Sequence, residues 1–148
     1  MSEQKVVSAS GEIKANAKVV FELIADPARQ PEWDGNDNLS EAEPDQRVMA
    51  VGQTFLMTNT TGKTRENHVV DFREGRVIAW RPSPIGEPQP GHEWRWEVEP
   101  INAKKTRVTH TYDWTDLTDE SRLDRARSTT ADNLQASIDR LKKLAESI

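Results

Sequence analysis

The sequence predicts an α+β fold, a curved antiparallel sheet of about six to seven strands around a long C-terminal helix, with two short helices after the first strand. Segments between residues 7 and 114 alternate apolar with polar side chains, which is typical of strands with one buried face. Turn-forming residues separate these segments. From residue 119 to 147 the apolar residues instead follow a helical period.

The composition fits one domain over residues 1–148 and argues against several classes of function. Hydrophobic residues make up 34% of the chain and charged residues 30%, which suits a sheet that buries only one face. The net charge of −5, without a dense Lys/Arg cluster, argues against a nucleic-acid partner. No stretch reaches the roughly 18 apolar residues of an integral membrane segment. Because the N-terminus lacks the apolar region of a signal peptide, we expect a cytoplasmic protein.

The first third of the chain predicts one strand and two short helices. Residues 7–13 alternate as a strand, and Asn16 can cap a helix that ends before Pro27. Residues 28–33 predict a second short helix. Residues 34–44 are polar and rich in turn formers, so we expect a loop there with at most one weak strand.

Hairpins are predicted for the middle of the chain. One strand follows Gly52, and residues 65–72 return after a turn, with His68 and Val70 expected on the inward face. A tight turn then leads into a strand over residues 77–81.

The last part of the chain predicts a loop, two strands and a helix. Four prolines make residues 82–91 a long, partly stiff loop. The clearest alternation in the sequence covers residues 92–99 and is followed by a second strand over 106–114. Thr118 can cap a helix over residues 119–147, about 40 Å long at 1.5 Å per residue.

The order of these elements and several short motifs resemble the START-like superfamily. More narrowly, the chain is similar to its polyketide cyclase/dehydrase and lipid-transport branch, the SRPBCC proteins. The similarity covers nearly the whole chain, and its motifs mark helix starts, turns and strand faces. The matching stretches are Ile13-Lys14-Ala15-Asn16, Val20-Phe21-Glu22-Leu23-Ile24-Ala25-Asp26-Pro27, Pro31-Glu32-Trp33, Val51-Gly52-Gln53-Thr54-Phe55, Glu99-Pro100 and Thr106-Arg107-Val108-Thr109-His110.

This resemblance implies a helix-grip fold with a deep cavity between the concave sheet face and the long helix. Members of the superfamily bind lipids, sterols, polyketides, hormones or quinone-like molecules, and a minority catalyse cyclisation or dehydration. Residues 82–91 stand where such proteins carry a loop over the cavity mouth, so this loop is a candidate gate. No cofactor is expected.

Apolar and aromatic side chains on the concave face are the candidate ligand contacts. Cavities for small ligands are mostly apolar, with few polar groups. The alternative is that these side chains only fill the core of a protein with few other hydrophobic residues. The expected ligand-binding residues are Phe55, Met57, Val70, Trp80, Trp94, Trp96, Trp114, Leu134 and Ile138.

His68, His110 and Tyr112 are the candidates for catalysis. Both histidines are in phase with apolar neighbours, so they should point inward, and Tyr112 follows His110 on the same face. Such groups could polarise a carbonyl or move a proton near neutral pH. The alternative is a neutral, hydrogen-bonded core histidine in each case. His92 is expected at the surface, and the histidine spacing argues against a metal site.

Three functions remain open from the sequence. The leading interpretation is binding or transport of a small hydrophobic ligand of lipid, polyketide or aromatic type. The second is a cofactor-free enzyme of cyclase or dehydratase type, in which His110 would give a pH profile with an inflection near neutrality. The third is a protein-interaction module with a collapsed cavity. A monomer and a homodimer are both compatible with the sequence.

Overall fold

The structure, a computed structural model that describes residues 3–148, contains a seven-stranded antiparallel sheet. Its strands are β1 (Val6–Ile13), β2 (Leu39–Glu41), β3 (Thr54–Asn59), β4 (Thr64–Arg73), β5 (Val77–Pro84), β6 (Glu93–Asn102) and β7 (Lys105–Asp113). The spatial order is β1-β7-β6-β5-β4-β3-β2, so the N-terminal strand pairs with the last one. The predicted sheet is confirmed, and β2 is the weak strand expected in the polar segment 34–44.

Two short helices follow β1, as predicted. Helix α1 (Ala17–Ala25) begins after Asn16, whose side-chain oxygen accepts a hydrogen bond from the Lys18 backbone N–H at 2.9 Å. A 3-10 turn over Pro27–Arg29 then leads into α2 (Gln30–Trp33). These elements place Trp33 in the core, where its indole N–H donates to the Leu23 carbonyl at 2.7 Å.

The C-terminal helix is shorter than predicted. Instead of one helix over residues 119–147, the chain forms a 3-10 turn over Glu120–Arg122, helix α3 (Leu123–Ser128) and helix α4 (Ala131–Glu146). The 16 residues of α4 span about 24 Å. No helix in residues 3–148 combines the length and apolar character that crossing a membrane would require.

Three consecutive hydroxyl side chains cause the break between α3 and α4. Ser128 and Thr129 both donate their hydroxyls to the Arg125 carbonyl, at 2.7 and 3.1 Å, in competition with the helical backbone pattern. Thr130 then starts α4 through a capping box with Asn133. The β-branched Thr129 and Thr130 therefore end one helix and begin the next.

Helix α4 packs its apolar face against β1 and β7. Leu134, Ile138 and Leu141 are buried, at the spacing of one helix face. Gly11 on β1 allows this close packing, because an added Cβ there would lie 3.1 Å from Cγ2 of Ile138. Helix α4 is thus the element that closes the sheet on one side of the core.

A β-bulge in β4 reverses the predicted orientation of two residues. Val69 pairs with Trp80, but the next pair joins Asp71 to Ala79, so Val70 is the extra residue. Asn67 and Val69 are buried, whereas Val70 is 37% exposed. The prediction that His68 and Val70 point inward is therefore wrong. Both lie on the outer face.

Strand β5 extends into the segment predicted to be a proline loop. It runs to Pro84, and Pro82 and Pro84 both pair with β4. Strand β6 pairs with β5 only as far as Trp80, so the two prolines lie on a locally unpaired edge. Proline is tolerated there because the missing N–H removes no ladder hydrogen bond. The loop itself is confined to residues 85–92.

Candidate ligand-binding site

A cavity of about 500 Å³ lies between the concave face of the sheet and the C-terminal helices. Side chains from β3 to β7 form one side, and residues from α3 and α4 form the other. The segment 30–39 closes one end. The volume falls within the range of about 300–1,000 Å³ that is usual for small-molecule sites.

One side of the cavity is a set of five aromatic rings from β6, β7 and the residue before β6. We call His92, Trp94, Trp96, His110 and Tyr112 the aromatic wall. Trp96 pairs across the strands with His110, and Trp94 pairs with Tyr112. The first pair is stacked, with ring centroids 3.8 Å apart and planes 12° from parallel, and the second pair has centroids 4.3 Å apart.

Contacts between these pairs make the wall continuous. The Trp94 and His110 rings are 5.8 Å apart, and His92 lies 6.1 Å from Tyr112. At the inner end, Trp33 packs its edge against Trp96 at 5.2 Å. Cross-strand neighbours on one face lie about 5 Å apart, so the antiparallel register itself produces this ordered series of rings.

Burial determines the protonation of the wall. It lowers the pKa of His110 to about 3 and raises the pKa of Tyr112 to about 12. Burial also lowers the pKa of His92 to about 4, and nearby arginines, Arg122 first, lower it further. All three groups are therefore neutral at pH 7, and the wall carries no charge of its own.

Three buried polar atoms of the wall have no hydrogen-bond partner among residues 3–148. They are Nδ1 of His92, Nδ1 of His110 and Nε1 of Trp96. An unpaired buried polar atom costs about 1–3 kcal/mol, so each favours a partner if one can reach it. No group of three or more His, Asp or Glu side chains that could hold a metal occurs in the same residues.

Residues 34–39, which follow α2 at one end of the cavity, are held to α4 by hydrogen bonds. The side chains of Asn36 and Asn133 are joined by a hydrogen bond of 3.0 Å from Nδ2 of Asn133, and Nδ2 of Asn36 donates to the Asn133 carbonyl at 3.0 Å. Gly35 donates its backbone N–H to Oγ of Ser137 at 3.0 Å. These bonds set the distance between the segment and the helix.

The carboxylate of Asp34 lines this end of the cavity but is fully engaged. It accepts backbone N–H groups from Asn36, Asn38 and Leu39 at 3.1, 2.7 and 2.9 Å. Asp34 is the one acidic side chain among the described lining residues. Its role is to shape the turn before β2, where the three backbone N–H groups stabilise the carboxylate.

Seven of the predicted site residues line the cavity. The side chains of the two candidate catalytic groups His110 and Tyr112 face it together. The ligand-binding candidates that line it are Met57, Trp80, Trp94, Trp96 and Leu134. Their contact with a ligand stays a prediction.

The other five predicted site residues lie elsewhere. His68 is on the outer face, with Nε2 3.0 Å from Oγ of Ser83, and Val70 is the exposed bulge residue. The other three are in the core. Phe55 packs on Trp80, Trp114 follows β7 in a small cluster with Ala126, and Ile138 packs over Gly11.

Among the cavity residues that the sequence prediction missed are four with basic side chains. His92, expected at the surface, lines the cavity, and its spacing of two and four residues from Trp94 and Trp96 was a signal for this. Arg65, Arg122 and Arg125 also line it, and we call them the arginine rim. Arg65 is on β4 and the other two are near the start of α3, so no local pattern predicts that they meet.

Comparison with known proteins agrees with this geometry. A family model described as "Polyketide cyclase / dehydrase and lipid transport" matches residues 4–146. The chain belongs to this polyketide cyclase/dehydrase and lipid-transport family. The resemblance stated from the sequence motifs is confirmed, and so is the helix-grip fold.

Two uncharacterized proteins of Mycobacterium tuberculosis, from two strains, are sequence relatives. Each is 34% identical to this family member over 110 residues, which is 73% of the chain. The match spans 47% of the relatives' own length, so the chain covers about half of the curated relatives that it matches.

Solved structures share the fold at low sequence identity. A Mesorhizobium loti protein superimposes with a TM-score of 0.69 at 14% identity, over 96% of this chain and 97% of the other. A norcoclaurine synthase point mutant from Thalictrum flavum, in complex with a transition-state analogue, has a TM-score of 0.58 at 14% identity, over 97% and 94%. At these identities the likeness shows the fold alone.

Proposed function

We propose that the chain binds a small, largely apolar ligand with a flat ring system in the cavity between the sheet and the C-terminal helices. The observation that carries this proposal is the aromatic wall, whose five neighbouring rings line a volume of about 500 Å³. Offset-stacked rings gain about 0.5–1.5 kcal/mol beyond the area that they bury. The family description, which includes lipid transport, supports binding of a hydrophobic molecule.

A cofactor-free cyclase or dehydratase activity is the second candidate. It is favoured by His110 and Tyr112, which are neighbours on one wall of the cavity. Their pKa values of about 3 and about 12 argue against proton transfer at neutral pH, where a useful general base has a pKa near 7. Such an enzyme would polarise a carbonyl through neutral donors, and His110 would give no inflection near neutrality.

An interaction module with a collapsed cavity receives less support. That hypothesis expects the sheet and the helices to close upon each other. A volume of about 500 Å³ separates them instead, and Trp94 is only half-buried beside it. Binding inside the cavity therefore accounts for the position of the aromatic wall, whereas protein contacts on the outer face of the sheet would not involve these rings.

Native mass spectrometry of the protein purified from its own host tests the proposed function. We expect a reproducible added mass on the wild-type chain. Trp94→Ala should lose most of it, because that ring stacks at the centre of the wall, whereas Val70→Ala on the outer face should retain it. A wild-type chain without added mass, or equal occupancy in Trp94→Ala, would contradict the proposal.

A further inference from the structure

The mouth of the cavity is positively charged, although the whole chain carries a net charge of −5. The three members of the arginine rim come from two distant parts of the sequence and line the same cavity. Arg65 is half-buried near the start of β4, and Arg125 is exposed on α3. Burial, and then the charges of Arg122 and Arg125, lower the pKa of Arg65, so the three guanidinium groups are close enough to repel one another.

Little negative charge balances this rim within the protein. Among the described residues, Arg122 pairs with Asp119 at 3.2 Å, and no ion pair joins Arg65 or Arg125 to a carboxylate. Glu87 acts on Arg65 only as a more distant charge. By contrast, Arg95 on the outer face contacts two carboxylates, at 2.8 and 3.4 Å.

The rim lies at one end of the aromatic wall. Arg122 and Arg125 act electrostatically on both His92 and Tyr112, which form the outer end of the wall. The inner end is capped by the ring of Trp33. A flat ligand lying along the wall would therefore have one end beside the Trp33 ring and the other near the arginines.

We propose that the arginine rim binds an anionic group of carboxylate size on a ligand whose planar apolar part lies against the aromatic wall. This inference rests on the proposed function and specifies its ligand as an aromatic or polycyclic acid. Guanidinium groups suit this task because their planar donors bind a carboxylate through two parallel hydrogen bonds. The partly enclosed mouth strengthens the attraction relative to open water.

Isothermal titration calorimetry with two matched probes tests the inference. The probes are 2-naphthoate and 2-naphthamide, which share the ring system and differ in the charge of the head group. Wild-type protein should bind the acid about ten- to a hundred-fold more tightly than the amide. The double variant Arg65→Gln/Arg125→Gln should lose this preference and keep its affinity for the amide.

A second double variant controls for the loss of charge. Arg73→Gln/Arg76→Gln also removes two positive charges, at the β4–β5 turn, where neither arginine lines the cavity, and should keep the preference for the acid. Equal binding of both probes by the wild type, or an undiminished preference in the rim variant, would overturn the inference and leave the proposed function intact. Failure of both probes to bind would contradict the two proposals together.

Discussion

His110 shows how burial in the aromatic wall determines the state of a single residue. Its ring is 4% exposed and stacks on Trp96 across the sheet, where an imidazolium would lose its hydration. The pKa therefore falls from the ordinary 6.5 to about 3. At pH 7 the side chain is a flat, neutral ring with one acceptor nitrogen, which suits recognition better than proton transfer.

The depressed pKa of His110 predicts a loss of stability in acid. Between pH 6.5 and 3 the unfolded chain binds a proton that the folded chain does not, so the free energy of unfolding decreases as the pH falls. Well inside this window the contribution approaches about 1.4 kcal/mol per pH unit. Chemical denaturation between pH 7 and 4.5 measures this slope. The free energy of unfolding of His110→Gln should decrease with falling pH less steeply than that of the wild type, by up to about 1.4 kcal/mol per pH unit.

Trp96→Phe is the control for the acid-stability prediction. It alters the stacked partner of His110 without removing the titrating group, so the variant should be less stable yet keep a steeper dependence on pH than His110→Gln. If the stability of His110→Gln depended on pH as that of the wild type does, His110 would not be the cause of the acid destabilisation.

At the scale of elements, the cavity depends on the distance between the segment 34–39 and α4. Gly35 sets the closest approach. A Cβ added there would lie 2.3 Å from the Ala136 backbone carbonyl carbon, which belongs to the helix and cannot rotate away. The Asn36–Asn133 and Gly35–Ser137 hydrogen bonds hold the same contact together.

Gly35→Ala should therefore destabilise the protein more than Gly11→Ala. The first change forces α4 away from the segment and should cost about 3 kcal/mol or more, whereas the second meets only the side chain of Ile138 at 3.1 Å and should cost about 1 kcal/mol. Urea denaturation monitored by circular dichroism measures both values. Equal costs would mean that the segment is not packed against α4 as described.

At the scale of the whole molecule, the sheet separates two environments. Its outer face carries ion pairs between strands, such as Arg81–Glu93 at 3.2 Å and Arg95–Asp71 at 2.8 Å. Both pairs are part-buried, and ion pairs near the surface contribute little stability, about 0–1 kcal/mol each when fully exposed. These charged side chains keep the outer face hydrated. The aromatic residues lie on the opposite, concave face, where they form part of the core and line the cavity.

Much of this arrangement could be predicted from alternation alone. The period of two over residues 92–99 and 106–114 is enough to place Trp94, Trp96, His110 and Tyr112 on inward faces, and the register of β6 and β7 makes them neighbours. Alternation fails in β4, because a bulge adds one residue and reverses the faces without a visible mark in the sequence.

Two other features could not be predicted from local patterns. The helical period continues through Thr129 and Thr130, so the apolar pattern conceals a break that depends on hydroxyl hydrogen bonds. The arginine rim exists only because β4 and α3, far apart in sequence, face the same cavity. Such juxtapositions follow from the tertiary fold.

Entry of a ligand into the cavity along the aromatic wall can be measured by NMR of the five tryptophan indoles. Trp33, Trp80, Trp94 and Trp96 line the cavity, and Trp114 does not. Titration of ¹⁵N-labelled protein with 2-naphthamide should shift the four indole N–H signals of the lining residues and leave that of Trp114 nearly unchanged. Shifts confined to Trp114, or none at all, would show that the ligand does not bind along the aromatic wall.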